Sequence, residues 1–423
     1  MKKLQAFVTA LLVFSVFNVF APLASAQDKT QVTFWHAMNG PHEEALKSLT
    51  DKFNESQDEV EVKLENQGNY DTLQQKVMAA GVSGELPTIS QLTASNVTDY
   101  QDQGLLVSLD DALTEENGFT DELKEDIYPG FMNGVTIDDQ IYALPFSKSV
   151  RLMFVNEDLL KEVDAEVPTT WDEVKELGKK LKDAGKEEQA MGFENGISME
   201  VETMARQNGA QWIAEDKSAT DIASDKATEP VQFIKDLIVE DYARQAGEDD
   251  FMSGPFASGA TALYIGSSAG LPHVLPGVEE SGISLATAEI PVFNDGDKLT
   301  LFAGNDLGVF NSADDNQKAA AVKFLTFLLQ ADNTAQWAVD TGYLPITKSG
   351  AESDIWTKYL EENPLVKAAT AELEYGQAQV PYAGSGEVFT EMEKAFENII
   401  INDADVKTEM QTIEDLVKSN LGL

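Results

Sequence analysis

Between Gln31 and Gly81 the apolar residues switch between two spacings, and that switch limits the folds open to the chain. Gln31-Val32-Thr33-Phe34-Trp35-His36 alternates with a period of two, as a strand with one buried face requires. The chain then breaks at Asn39-Gly40-Pro41-His42 and sets Ala45, Leu46, Leu49 and Phe53 at helical spacing, which predicts a helix from about Glu43 to Asn54. Val60 to Leu64 alternates again, Gly68-Asn69-Tyr70 turns, and Thr72 to Gly81 has the pattern of a helix. Strand, helix, strand, helix implies βαβ units around a mixed or parallel sheet.

The same rules carry through the rest of the chain. Pro87 and Thr88 open a short strand through Leu92, Leu105 to Leu109 is strand-like, Thr114 to Asn133 is acidic and helical, and Gln140 to Leu144 returns as strand. Leu144-Pro145-Phe146-Ser147-Lys148-Ser149-Val150-Arg151-Leu152-Met153-Phe154-Val155-Asn156 is expected to be a polar loop feeding a buried strand. Arg151 within that apolar run either faces a ligand or carries its head group out to solvent. Thr169 or Thr170 can cap a helix to about Ala184, Gln189 to Ser224 has the pattern of helix with loop, and Thr228 to Glu240 that of helix. Gly259 to Leu271 is a strand ending in glycine and serine, while Ile283–Val292 and Leu299–Phe310 are strands, the second broken at Gly304-Asn305-Asp306. Beyond Asn316 the chain is mostly helical, interrupted at Thr341–Thr347 and at Val380–Gly386. With no internal repeat and no long linker, two domains sharing several chain crossings are expected.

Three compositional features bear on function. Lys2 and Lys3 precede an apolar run from Ala6 to Leu23 that closes on Ala24-Ser25-Ala26, the pattern of a secretory signal peptide spanning residues 1–26. Ala26 stands where a lipidated cysteine would be, and the chain has no cysteine at all, so neither a lipid anchor nor a disulfide is expected. Thirty lysines and arginines against 73 acidic residues give a net charge of −43, which disfavours nucleic acid and anionic membranes as partners.

The inventory of reactive groups is thin. Three histidines without cysteine leave little for a transition metal, and no calcium loop of EF-hand spacing occurs, so neither metal nor cofactor is expected. Gly266-Ser267-Ser268-Ala269-Gly270 matches the hydrolase elbow, but the only later histidine, His273, follows with no carboxylate between, so no catalytic residue is assigned. What recurs instead is aromatic and small polar residues at strand-to-helix junctions: Trp35 and His36, Tyr70, Ser147 and Ser149, Ser267 and Ser268, Gly304, and Tyr343. Hydroxyls, amides and aromatic faces suit a small polyol-like ligand, whereas each residue also has an ordinary packing role.

Phe34-Trp35-His36-Ala37-Met38-Asn39-Gly40, Gly68-Asn69-Tyr70, Pro168-Thr169-Thr170-Trp171 and Thr341-Gly342-Tyr343-Leu344-Pro345-Ile346-Thr347 resemble the extracellular solute-binding proteins of ABC importers, in the maltose-binding-protein-like group. Within that group the motifs look most like the glycerol-3-phosphate-binding branch, and the likeness covers essentially the whole chain after residue 26. The resemblance implies a two-lobe periplasmic-binding α/β fold of type II, with a ligand cleft between lobes joined by hinge strands. The N-lobe would comprise 27–145 with 300–340, and the C-lobe 146–299 with 341–423. It implies no catalysis, a small-molecule ligand (a polyol phosphate or a saccharide), a membrane permease as partner, a monomer, and a location in the periplasm or at the cell surface. The positions matching the branch's ligand contacts are Tyr70, Ser149, Ser267, Gly304 and Tyr343. Two contacts depart: an acidic residue's place falls on Ala94, and a phosphate-binding arginine's place falls near Thr390. A buried phosphate needs a charge to offset its desolvation, which brings in Lys148 and Arg151, with Arg151 favoured if the strand begins at Val150; Trp35 completes the candidate set.

Overall fold

The computed structural model describes residues 29–249 and 251–423; the leader expected at residues 1–26 lies outside them. Twelve strands occur among the described residues: β1 (Thr30–His36), β2 (Val60–Asn66), β3 (Ile89–Leu92), β4 (Thr136–Ile137), β5 (Gln140–Ile141), β6 (Ala143–Asn156), β7 (Gln189–Phe193), β8 (Ala243–Gln245), β9 (Thr261–Ser267), β10 (Leu285–Ala288), β11 (Thr300–Val309) and β12 (Gly376–Gln377). Ten of them form one sheet in the order β2-β1-β3-β11-β6-β9-β7-β8, with β10 on β6 and β12 on β11, while β4 and β5 make a separate hairpin. β1 pairs in parallel with β2 and β3, and β9 in parallel with β7, whereas β11 and β6 run antiparallel to their main neighbours. The expected mixed sheet of βαβ units is thus formed twice, once on each side of the antiparallel centre.

The first lobe follows its pattern closely. In β1, Val32, Phe34 and His36 are buried and alternate with more exposed neighbours. The helix Gly40–Ser56, with Pro41 in its first turn, turns Ala45, Leu46, Leu49 and Phe53 inward onto them. Each of the two leucines and the phenylalanine is worth about 1.5–3 kcal/mol when fully buried. A second cluster of Val77, Leu92, Val97, Tyr100 and Phe310 covers the other face. The other lobe is built around Val155, Trp171, Leu177, Met191, Ile265, Phe396 and Ile413. Its helix Trp171–Asp183 begins at a capping box between Thr170 and Glu173, so of the two threonines it is Thr170 that caps. Tyr343 and Ile346 pack with Trp337 in the first lobe's core.

Several expectations need correction. The stretch from Leu144 is no loop: β6 runs unbroken from Ala143 to Asn156 and all fourteen residues are buried. Pro145 is tolerated because it lies opposite Asp306, where the register with β11 shifts and the ladder is already interrupted. The acidic segment Thr114–Asn133 forms only short helices at Glu115–Asn117, Asp121–Asp126 and Pro129–Asn133, because Gly118, with φ of 86°, and Pro129 interrupt it. Leu105–Leu109 reduces to a single bridge between Leu106 and Phe310, and Ile283–Val292 to β10. Residues 189–193 and 243–245 are strands that short apolar runs did not disclose; β7 is almost wholly buried and so lacks alternation.

Candidate functional site

β6 is the element from which the site is built. Its first part pairs with β11 from Ala143 to Val150, and its second with β9 from Arg151 to Val155, so one strand runs through both lobes. Where it passes from one to the other, a cleft of about 1090 Å³ opens over Lys148 and over Phe302, Ala303 and Gly304 of β11. Gly304 has φ of 103°, and a Cβ there would lie 1.8 Å from the Ser147 carbonyl oxygen. Only glycine lets the two strands approach this closely.

One wall consists of two helix starts. Asn69 caps the helix Tyr70–Ser83 by accepting from Thr72 N at 2.9 Å, which brings Tyr70 and Asp71 to the cleft. Thr93 and Asn96 close a capping box at the start of the helix Ala94–Asp102, and residues 93 to 96 line the cleft beside Tyr70. The opposite wall carries Ser198, Glu202 and Arg206 of the helix Ser198–Gln207, Trp212, and Tyr382, Ser385 and Phe389 at the start of the helix Ser385–Ile401.

Tyr70 is 41% exposed, yet its hydroxyl is held inside. It accepts from Gln91 Nε2 at 3.2 Å and from Asn305 Nδ2 at 3.1 Å. It also shares a hydrogen bond with the Tyr343 hydroxyl, and burial raises the pKa of both phenols. Tyr343 in turn stacks on Trp337, ring centroids 6.0 Å apart and 8° from parallel. The Tyr70 ring is thereby fixed with its face available to a ligand, anchored from β3, β11 and the Thr341–Thr347 turn together.

The cations that line the cleft are paired. Lys148 Nζ lies 2.7 Å from Oδ1 of the fully buried Asp306. Arg206 Nη1 lies 3.3 Å from Glu202 Oε1, whose other oxygen accepts from Gln379 Nε2 at 2.6 Å. Lys394 Nζ lies 2.6 Å from Glu391 Oε1. Burial raises the carboxyl pKa of both Asp306 and Glu202, against the pull of their cationic partners. Each of these three lining cations is therefore matched by a carboxylate, and Asp71, Glu248, Glu393 and Glu397 add further negative charge to the lining.

The eight residues singled out from sequence do not form one constellation. Tyr70, Lys148 and Gly304 line the cleft, and Tyr343 supports Tyr70 from beneath. Ser267 Oγ donates to Ser149 Oγ at 3.0 Å across the β6–β9 pair, away from the lining. Trp35 Nε1 donates to Glu65 Oε2 at 2.7 Å on β2. Arg151 lies in a cluster of its own: its Nε is 2.6 Å from Glu200 Oε1, and its Nη2 is 2.9 Å from Glu194 Oε2, while Tyr264 donates to the other oxygen, Glu194 Oε1, at 2.7 Å. The preference for Arg151 over Lys148 assumed a strand starting at Val150. Because β6 already includes Lys148, alternation turns Arg151 with Ser149 to one face and Lys148 to the cleft on the other.

Sequence reasoning missed Glu202, Arg206, Trp212 and Tyr382. The interruption at Val380–Gly386 was the available signal for Tyr382, since a break in a helical region often marks a wall of a site. Trp212 carries a φ of 59°, a conformation that its own residue type would not suggest. Ser268, at the centre of the hydrolase-like motif, is buried and accepts the Val150 N–H at 3.5 Å.

A profile of the family described as bacterial extracellular solute-binding protein matches residues 48–365. The sn-glycerol-3-phosphate-binding periplasmic protein UgpB of Rhizobium meliloti is 27% identical over 351 residues, covering 80% of each chain. UgpB of Brucella melitensis is 28% identical over 353 residues, covering 79% of each. Among solved structures, UgpB of Mycobacterium tuberculosis in complex with glycerophosphocholine superposes with a TM-score of 0.82 at 22% identity, over 93% of this chain and 99% of that one. The cyclic alpha-maltosyl-1,6-maltose binding protein of Arthrobacter globiformis superposes with a TM-score of 0.79 at 23% identity, over the same shares.

Proposed function

We propose that this chain, which belongs to the bacterial extracellular solute-binding proteins, captures a glycerophosphodiester with a cationic head group between its lobes and delivers it to the permease of an ABC importer. The charge balance of the cleft carries the proposal. A phosphate monoester brings about two negative charges at neutral pH, and desolvating them costs several kcal/mol unless cations answer them. Here the lining cations already answer Asp306, Glu202 and Glu391, and carboxylates remain in excess. A diester with a quaternary ammonium head is neutral overall. Its phosphate can share the Lys148 ammonium, and its head group finds aromatic faces at Tyr70, Trp212 and Tyr382 with carboxylates near them. The curated relatives named for sn-glycerol 3-phosphate support the glycerol portion.

A second reading is a neutral oligosaccharide, favoured by the cleft's volume of about 1090 Å³, which is just above the usual range for small-molecule sites, about 300–1,000 Å³. Calorimetry with glycerophosphocholine, glycerol 3-phosphate and maltotriose, followed by product analysis, separates the two. The expected result is binding of glycerophosphocholine, glycerol 3-phosphate at least about 10-fold weaker (about 1.4 kcal/mol), no response to maltotriose, and no turnover. Binding of maltotriose alone would establish the second reading, and turnover would overturn both.

A further inference from the structure

The two walls of the cleft meet at a charged contact. Asp99, in the helix Ala94–Asp102 of the first lobe, accepts the Gly384 N–H on its Oδ1 at 2.7 Å and also takes the N–H of Gly386. These amides belong to the start of the 17-residue helix Ser385–Ile401, which packs in the core of the other lobe and has no side-chain cap of its own. A carboxylate from one lobe thus completes the open end of a helix in the other, where the free N–H groups and the helix dipole favour negative charge.

We propose that Asp99 and the start of the helix Ser385–Ile401 form a latch that holds the lobes together at the rim of the cleft. Three further observations support it. A Cβ at Gly386 would lie 2.7 Å from Asp99 Oδ2, so glycine is the residue that lets the carboxylate seat. Ser95 and Asn96 of Asp99's own helix line the cleft alongside Ser385 and Gly386, so the contact sits where opening must part the walls. Burial raises the pKa of the Asp99 carboxyl, and Asp102 and Glu387 nearby repel its charge, so seating the carboxylate carries a cost that parting the walls would relieve. The latch does not depend on which solute is bound.

The absence of cysteine makes the test direct. Val82→Cys and Val239→Cys place one spin label on each lobe, at residues 91% and 71% exposed, and electron–electron double resonance measures their separation without ligand. The native protein should show a population at the separation set by this structure. Asp99→Ala, and independently Gly386→Ala acting from the other lobe, should deplete that population and lengthen the mean distance while circular dichroism stays native. If Asp99→Ala fails to fold, Gly386→Ala decides. A native protein lacking the short-distance population, or folded variants that keep it undiminished, would overturn the latch.

Discussion

At position 304 there is no room for a side chain, and this defines the site more sharply than any single polar residue. Gly304→Ala must relieve both a φ of 103° and the approach of the Ser147 carbonyl oxygen. It should destabilise the fold by at least about 2 kcal/mol, measured as a shift of the urea midpoint. Glu372 is the residue whose titration should be visible in stability. It is fully buried, accepts the Ile290 N–H at 2.9 Å, and burial pushes its pKa up to about 8. The folded state therefore holds this proton where the unfolded chain has released it. Its contribution is complete below about 4.5 and is lost as pH rises toward about 8, with a slope of up to about 1.4 kcal/mol per pH unit. Denaturant titrations across that window should show Glu372→Gln falling less steeply than the native protein; parallel curves would refute the assignment. Neither residue's environment could be foreseen locally: the motif around Gly304 marked a break in a strand, but the carbonyl it must avoid is on β6.

β6 shows what a single element can and cannot disclose. Its apolar content marked a buried strand, and the resemblance brought Ser149 within it to notice. The partition of its two cations followed only from the partners on either side, Asp306 on β11 for Lys148, and Glu194 and Glu200 for Arg151. Arg151→Met would leave the buried Glu200 and the half-buried Glu194 without their cation, and such a loss typically costs about 3–5 kcal/mol. The melting temperature should fall markedly while the affinity of the remaining folded protein for glycerophosphocholine stays near native. Lys148→Met should lower the melting temperature too, because it leaves the buried Asp306 without its cation, but it should in addition weaken glycerophosphocholine by about 10-fold or more, because its ammonium lies in the cleft lining. Calorimetry on both variants checks the contrast; an affinity loss in Arg151→Met alone would return Arg151 to the site.

For the whole molecule the net charge of −43 sets the dominant long-range term. Self-repulsion of a surface so acidic is screened as the Debye length shrinks, from about 30 Å at 0.01 M to about 3 Å at 1 M ionic strength. The melting temperature should therefore rise between low and high sodium chloride, and calorimetry showing a fall would mean that ion pairs such as Lys47–Asp51 outweigh the repulsion. Much of the architecture was legible without coordinates. Apolar spacing set the β1-to-β3 units, the threonine pair Thr169-Thr170 announced a helix, and the motifs near residues 34, 68 and 341 pointed to the family. These features depend on near neighbours in the chain, so their physics is local. The cleft is different. Tyr70 is held by Asn305 from 235 positions away, Asp99 meets Gly384 from 285 positions away, and Lys148 is neutralised by a residue on another strand. By itself the sequence disclosed the strands and helices whose apolar spacing or caps are local, such as β1 to β3 and the helix from Trp171, and the family they compose. Only the tertiary structure decided which charges line the cleft and which are matched elsewhere, because a charge's role depends on the partners that folding brings within a few ångströms of it.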